Sequence, residues 1–173
     1  MRTNVFHRIG LLSCGIVLVT LATRLPSSAT AGSSDDGIVL INPLEARELR
    51  LNNREWRQVP EARGLPIGPE IIIRRPPVVA GDVPTIRATS PTDLDVIFEP
   101  REAPVSMDTL KVEVRKGFFA RSLTQLLRPY ISGDSIKLSQ VEIPAGRFLL
   151  DISIADTSGN ITDASYLLEV GRR

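Results

Sequence analysis

The side chains that most enzymes use for catalysis are nearly absent from this 173-residue sequence. Its only histidine is His7 and its only cysteine is Cys14. Beyond Cys14 the chain therefore has no thiol nucleophile, no Ser-His-Asp triad and no zinc or copper site of the usual composition. We expect no enzyme activity, no catalytic residues and no cofactor.

Carboxylates are the remaining candidates for chemistry. One group near the C-terminus contains Asp151, Asp156, Asn160 and Asp163. Oxygen ligands of this kind suit calcium, but the spacing is not that of an EF-hand, and turn capping explains Asp156 and Asn160 equally well. A second group, Asp93 and Asp95, alternates along a predicted strand, where a solvated face is commoner than a glycosidase pair. We therefore predict no metal site.

Three residues are candidates for contacting a partner. Trp56 is the only tryptophan, and such a ring either covers an edge of the core or forms a binding contact. Arg74 and Arg75 stand before Pro76 and Pro77, where they suit either an anionic partner or an exposed linker. No glycine-rich phosphate loop follows a predicted strand, and no basic stripe with interleaved aromatic residues favours nucleic acid.

The N-terminus has the pattern of a secretory signal peptide. Residues 1–8 carry two arginines and no acid, and residues 9–23 are uncharged. Ala29-Thr30-Ala31 then has the small-x-small form that signal peptidase cleaves. The uncharged stretch is shorter than the roughly 20 residues that span a bilayer. We expect residues 1–31 to be removed, leaving a periplasmic or extracellular protein without membrane attachment.

Residues 32–67 are predicted to form a partly flexible N-terminal extension. Asn42, Pro43 and Glu45 have the N-cap, N1 and N3 positions of a helix start. Residues 48–59 instead form two alternating runs around an Asn-Asn pair that tolerates positive φ. A hairpin is therefore favoured over a helix in that part of the segment.

Beyond Gly68 the sequence predicts one strand after another. Period-2 alternation, typical of half-buried antiparallel strands, is clearest in the later segments. The predicted strands are 70–74, 85–89, 93–99, 110–115, 135–140, 147–155 and 165–170. The isoleucine-rich first strand, bounded by proline, is the expected sheet edge. Apolar residues recur at helical spacing between Phe119 and Leu127, which predicts one short helix within 118–130.

Residues 141–170 carry the most specific pattern. They combine a Pro-x-Gly-x-Phe entry at Pro144, alternating apolar residues, an Asp-x-x-Gly-Asn turn at Asp156 and a last strand ending in Val170. This pattern resembles the final hairpin of bacterial immunoglobulin-like and fibronectin-III-like domains. The resemblance implies an extracytoplasmic module used in adhesion, assembly or as an accessory to another domain. It departs from antibody-type domains, because it lacks their cysteine pair and their core tryptophan.

These observations predict an all-β, immunoglobulin-like antiparallel sandwich of about seven strands over residues 68–173, with one short inserted helix. The expected function is a binding or structural module that contacts another envelope or extracellular protein through a sheet edge or loops. The alternative is a carbohydrate-binding accessory module, for which Trp56 together with Phe118 or Phe119 would supply the aromatic surface. The sequence does not set the oligomeric state.

Overall fold

The computed structural model describes residues 37–59 and 67–172, so the predicted signal peptide lies outside them. The strands within these ranges are β1 (Glu70–Arg75), β2 (Val78–Val79), β3 (Thr85–Thr89), β4 (Thr92–Glu99), β5 (Val105–Lys116), β6 (Phe119–Ser122), β7 (Ile131–Ser132), β8 (Ser135–Val141), β9 (Gly146–Asp156) and β10 (Ile161–Gly171). The helices are α1 (Pro43–Leu49), α2 (Asn53–Arg57) and α3 (Thr124–Leu127), with a 3-10 turn at Arg128–Tyr130.

The strands form two sheets. The four-stranded sheet has the order β1-β4-β8-β7, and the six-stranded sheet has the order β2-β3-β10-β9-β5-β6. Neighbouring strands run antiparallel except β3 and β10, which are parallel, with Leu167 opposite Thr85. The chain passes from one sheet to the other between β1 and β2. This is an immunoglobulin-like β-sandwich, and the predicted edge strand 70–74 lies at the edge of its sheet.

The alternating residues of the strands meet between the two sheets. Val112 and Val114 of β5 and Ile152 and Ile154 of β9 face inward, and each is buried. The largest buried side chains include two phenylalanines, one from each sheet: Phe98 and Phe148 are 1% and 0% exposed. Removing this apolar surface from water is the main stabilising contribution to the sandwich.

The segment before β1 forms two short helices, so the predicted hairpin over residues 48–59 is wrong. Asn42 caps α1 and Asn52 caps α2, and each side chain accepts two backbone amides at 2.9 Å. Glu45 and Glu55 in turn accept the cap amides at 3.1 and 2.8 Å. Each pair is a capping box, which stabilises a helix start. The Asn-Asn pair therefore begins a helix instead of making a turn.

This N-terminal segment is part of the sandwich core. Ile41 and Leu49 are 1% and 4% exposed and belong to the main apolar cluster. The chain then crosses the end of the six-stranded sheet, where the Leu51 amide donates to the Arg147 carbonyl at 2.8 Å. Beyond that point Leu51 packs with Leu149 and Leu167 in a second apolar cluster. The boundary between extension and sandwich remains a prediction.

The predicted helix within 118–130 is shorter than expected. Only four residues, Thr124–Leu127, are α-helical before the 3-10 turn. Phe119 begins β6 instead and lies opposite Lys116 of β5. Gly117 opens the two-residue loop between them with a φ of 58°, as a type II′ turn requires. The reversal at Gly117 makes a hairpin where helical spacing predicted a helix.

No helix in the described part of the chain is long and apolar enough to span a bilayer.

Candidate partner-binding surfaces

Trp56 makes its contacts with other residues of the same chain. It lies half-buried on α2 against the second apolar cluster. The Arg147 guanidinium lies over its indole ring, 5.1 Å from the centroid, in a cation–π contact. The same guanidinium donates hydrogen bonds to the Glu169 carboxylate at 3.0 Å and to the Asn53 side-chain oxygen at 2.8 Å. Together these contacts attach α2 to the outer face of the six-stranded sheet.

Arg74 and Arg75 lie elsewhere, at the end of the edge strand β1, and the structure does not bring Trp56 to them. Both arginines are exposed. The pairing register of β1 with β4 shifts between Ile73 and Arg75, so Arg74 is the extra residue of a β-bulge. Arg75 forms an ion pair with Asp93 at 3.5 Å. Bulges and charges of this kind hinder an edge strand from pairing with another chain.

The C-terminal carboxylates form structural hydrogen bonds. Asp156 accepts two backbone amides of its turn at 2.9 Å and the Asn160 side-chain amide at 2.8 Å. Of the two roles that the sequence allows for Asp156, these bonds show the turn-capping one. Asp151 is held by Arg115 at 2.7 Å and by the Ser165 hydroxyl at 2.6 Å. Residues 37–59 and 67–172 contain no cluster of three histidine, cysteine or acidic residues that would hold a metal ion.

Asp93 and Asp95 project from the outer face of β4, since Leu94 and Val96 between and beside them pack on the core. Asp93 accepts the Gln140 amide at 3.3 Å in addition to its ion pair. Asp95 lies opposite a lysine of β8 in the register of the two strands. Asp93 thus lies beside a cation on the sheet surface, whereas the Oδ1 atom of Asp95 is buried and has no hydrogen-bond partner.

The tip of the β5–β6 hairpin carries the most exposed large apolar side chains of the described residues. Phe118 is 105% exposed and Phe119 is 73% exposed. Single exposed apolar residues are common on protein surfaces, but adjoining ones form the patches that mark interaction sites. Gly117, with its φ of 58°, places this pair at the tip of the hairpin.

Strand β6, which follows the tip, is an open edge of the six-stranded sheet. All four of its residues are exposed, and β5 is its only sheet neighbour. Leu123 donates its backbone amide to Val112 of β5 at 2.8 Å. Because antiparallel pairs alternate between bonded and non-bonded positions, the backbone groups of Ala120 and Ser122 point away from β5. These groups are available to an added strand.

A depression of about 490 Å³ lies between this hairpin and the helices. Its lining consists of Glu48, Glu55, Lys116, Gly117, Phe118 and Phe119. Lys116 is fixed there by Glu55 at 3.5 Å and by the Arg50 carbonyl at 2.9 Å. On the neighbouring strand, Arg121 binds Glu45 of α1 at 2.9 Å. The depression is therefore lined by two aromatic rings, two carboxylates and one lysine.

From the sequence, Phe118 and Phe119 are candidates for an aromatic surface, but helical spacing places Phe119 in a helix, so the hairpin and its open edge are not predicted. The signal that was available is Gly117, which directly follows the clean alternation of β5. A glycine at the end of a strand pattern predicts a tight reversal. A reversal there leaves the next two residues at a hairpin tip.

No protein-family model matches the chain, and no curated protein matches its sequence. Among solved structures, CopC from Methylosinus trichosporium OB3b is 13% identical with a TM-score of 0.33, over 50% of this chain and 81% of that chain. Murine CRIg is 11% identical with a TM-score of 0.34, over 61% of this chain and 98% of that chain. Similarity this low carries no inference about function, and the fold is assigned from the topology of the chain itself.

Proposed function

We propose that this chain is an exported, non-catalytic module that binds another protein through β6 and the hairpin tip beside it. The observation that carries the proposal is the exposed pair Phe118 and Phe119, which lies at the hairpin tip where β6, an edge strand with outward backbone groups, begins. Strand addition uses such groups for affinity and the neighbouring side chains for specificity. The signal pattern of residues 1–31 supports export, and the lack of histidine and cysteine beyond Cys14 supports a non-catalytic role.

Strand β6 suits this role better than β1, the edge that the sequence favoured. Strand β1 has a bulge at Arg74, prolines at both ends and an ion pair between Glu70 and Arg101 at 3.4 Å. Those features protect an edge against added strands. Strand β6 contains no proline, and its register with β5 shows no bulge.

The backbone contribution is tested with Ala120→Pro. Proline removes the outward amide of Ala120 and leaves the bonds of β6 to β5 in place. The purified chain is immobilised, and proteins captured from the extracytoplasmic fraction of its native source are quantified. Ala120→Pro is expected to lose the partner, whereas Ala120→Val, which keeps the amide, is expected to retain it.

The apolar contribution is tested with Phe118→Ala and Phe119→Ala. Each should weaken capture by roughly tenfold or more, the usual effect of truncating an aromatic hot spot. Ile161→Ala is the matched control, because Ile161 is 57% exposed but begins β10, opposite Ala155 of β9. Equal loss of capture for Ile161→Ala and Phe118→Ala, or retention by Ala120→Pro, would show that the partner binds elsewhere.

A carbohydrate ligand is the second candidate for the same surface. The observation that favours it is the depression itself, where the two phenylalanine rings adjoin Glu48 and Glu55. Aromatic rings stack on sugars, and carboxylates accept bonds from their hydroxyl groups. A glycan array distinguishes the two cases: a sugar would still bind Ala120→Pro and would be lost with Phe118→Ala, whereas a protein partner is lost with both.

A further inference from the structure

A surface at the opposite edge of the six-stranded sheet has different chemistry. Arg75 of β1 and Arg87 of β3 come from different sheets and line the same depression of about 420 Å³. Its other walls include Pro76, Pro77 and Pro91. We call this the cationic depression. The exposed valines Val78–Val79 of β2 directly follow it in the chain.

The lining of the cationic depression contains two arginines, Arg75 and Arg87, but only one carboxylate, that of Asp93. Glu169 is already bound by Arg147 at 3.0 Å, and Arg87 reaches it only at 3.9 Å. Arg75 forms its ion pair with Asp93 at 3.5 Å, and Asp93 also accepts the Gln140 amide. The Arg75 and Arg87 side chains are 69% and 64% exposed. Ion pairs this long and this exposed contribute little to stability, so a better ligand displaces them at small cost.

The backbone at the rim is held in an unusual conformation. Gln140 has a φ of 55°, the only positive φ of a non-glycine residue among those described. It also lines the cationic depression, and its amide donates to Asp93 at 3.3 Å. Left-handed backbone at such a residue is disfavoured and concentrates at functional sites. Here the Gln140 amide holds Asp93, the carboxylate that would compete with a ligand for Arg75.

We propose that the cationic depression binds an acidic segment of a partner protein, with the guanidinium groups of Arg75 and Arg87 each donating hydrogen bonds to one carboxylate of that segment. Guanidinium groups bind carboxylates in bidentate geometry, which gives both affinity and orientation. The proline walls and the neighbouring valines favour a peptide that alternates acidic and aliphatic side chains over a free phosphate or a sugar. This site is separate from the β6 surface, and neither proposal depends on the other.

The test measures binding of a short fluorescein-labelled peptide of alternating glutamate and valine by anisotropy. The same peptide with glutamine in place of glutamate, inorganic phosphate as a competitor and vesicles of phosphatidylglycerol are the comparison ligands. The purified chain should bind the glutamate peptide with an affinity that falls as salt rises. Arg75→Glu and Arg87→Glu should each weaken binding about tenfold or more, as loss of a charge-assisted bond implies.

Two further variants keep the proposal falsifiable if the charge reversals disturb folding. Asp93→Asn retains an acceptor for Gln140 but removes the competing charge, so it should tighten peptide binding. Lys111→Glu changes the net charge by the same amount as Arg87→Glu. Because Lys111 is exposed on β5, away from the depression, this variant should leave peptide binding unchanged. The proposal is overturned if Asp93→Asn has no effect, if Lys111→Glu weakens binding as much as Arg87→Glu, if the glutamine peptide binds equally, or if only phosphate or vesicles bind.

Discussion

Asp156 shows how a single buried carboxylate determines a turn. Its residue is 4% exposed, yet its oxygens receive three hydrogen bonds from the loop that joins β9 to β10. Burial by itself raises the pKa of this carboxyl, but the hydrogen bonds from the Asn160 side chain and the turn amides outweigh it and hold the pKa below its usual value. The folded state therefore favours the ionised form.

This pKa shift predicts a pH dependence of stability. Because the Asp156 pKa is lower in the folded chain than in the unfolded one, its contribution is complete above about pH 4 and is lost as pH falls through the folded pKa. Asp156→Ala should lower the free energy of unfolding at pH 6 and should remove part of the decline in stability below about pH 4. Urea unfolding at several pH values measures both.

The exposed Asp163 on the same hairpin provides the control. Asp163→Ala should keep the stability of the parent chain at pH 6 and its full decline on acidification. The same pH profile for Asp156→Ala and for the parent chain would contradict the role given to Asp156.

At the scale of elements, the longer strands and the start of α1 could be predicted from the sequence, whereas helix α2 and the short strands β2, β6 and β7 were not predicted. Period-2 alternation is present within β4, β5 and β8 to β10, and it predicts each of them over part or most of its length, whereas β1 is predicted from its isoleucine run and flanking prolines. Helices α1 and α2 have seven and five residues, too few for helical periodicity to emerge. Their capping residues were the usable signal, and the same Asn-x-x-Glu spacing recurs at Asn42 and Asn52.

The candidate surface was partly predictable for the same reason. The edge position of residues 70–74 followed from flanking prolines, because proline cannot donate within a sheet. The exposure of Phe118 did not follow from its residue type, since phenylalanine is usually buried. Only the conformation of Gly117 decides that the next residue lies at a hairpin tip.

The attachment of α2 gives a prediction at this scale. Arg147→Ala removes the cation over Trp56 and the bond to Asn53, so α2 should separate more often from the sheet. Because Trp56 is the only tryptophan, its emission reports this directly: the maximum should shift to longer wavelength and acrylamide quenching should increase. Arg87 contacts Glu169 but not the indole ring, so Arg87→Ala should leave the emission maximum and the quenching unchanged. Unchanged emission in Arg147→Ala would contradict the attachment.

At the scale of the whole molecule, residues 37–59 supply part of the core that the sandwich needs. Ile41 is 1% exposed and Ile154 of β9 is 0% exposed, and both lie in the main apolar cluster. We therefore expect Ile41→Ala and Ile154→Ala to lower the free energy of unfolding by similar amounts, about 2–5 kcal/mol each. Urea denaturation should show one transition for both variants. A small effect of Ile41→Ala, or a separate early transition, would show that the N-terminal segment is an appendage.

The two candidate surfaces lie at opposite edges of the six-stranded sheet, where β6 and β2 end the strand order. One is aromatic with open backbone groups, and the other is cationic with proline walls. The two proposals together therefore assign chemically different ligands to separate surfaces of the module.

Hydrogen exchange at the Ala120 and Ser122 amides tests the central claim most directly, with the full chain measured alone and in complex with the protein that it captures. Both amides point away from β5, so they should exchange rapidly in the free chain and become protected in the complex. Protection that appears elsewhere on the molecule while these two amides stay unprotected would contradict binding by strand addition at β6.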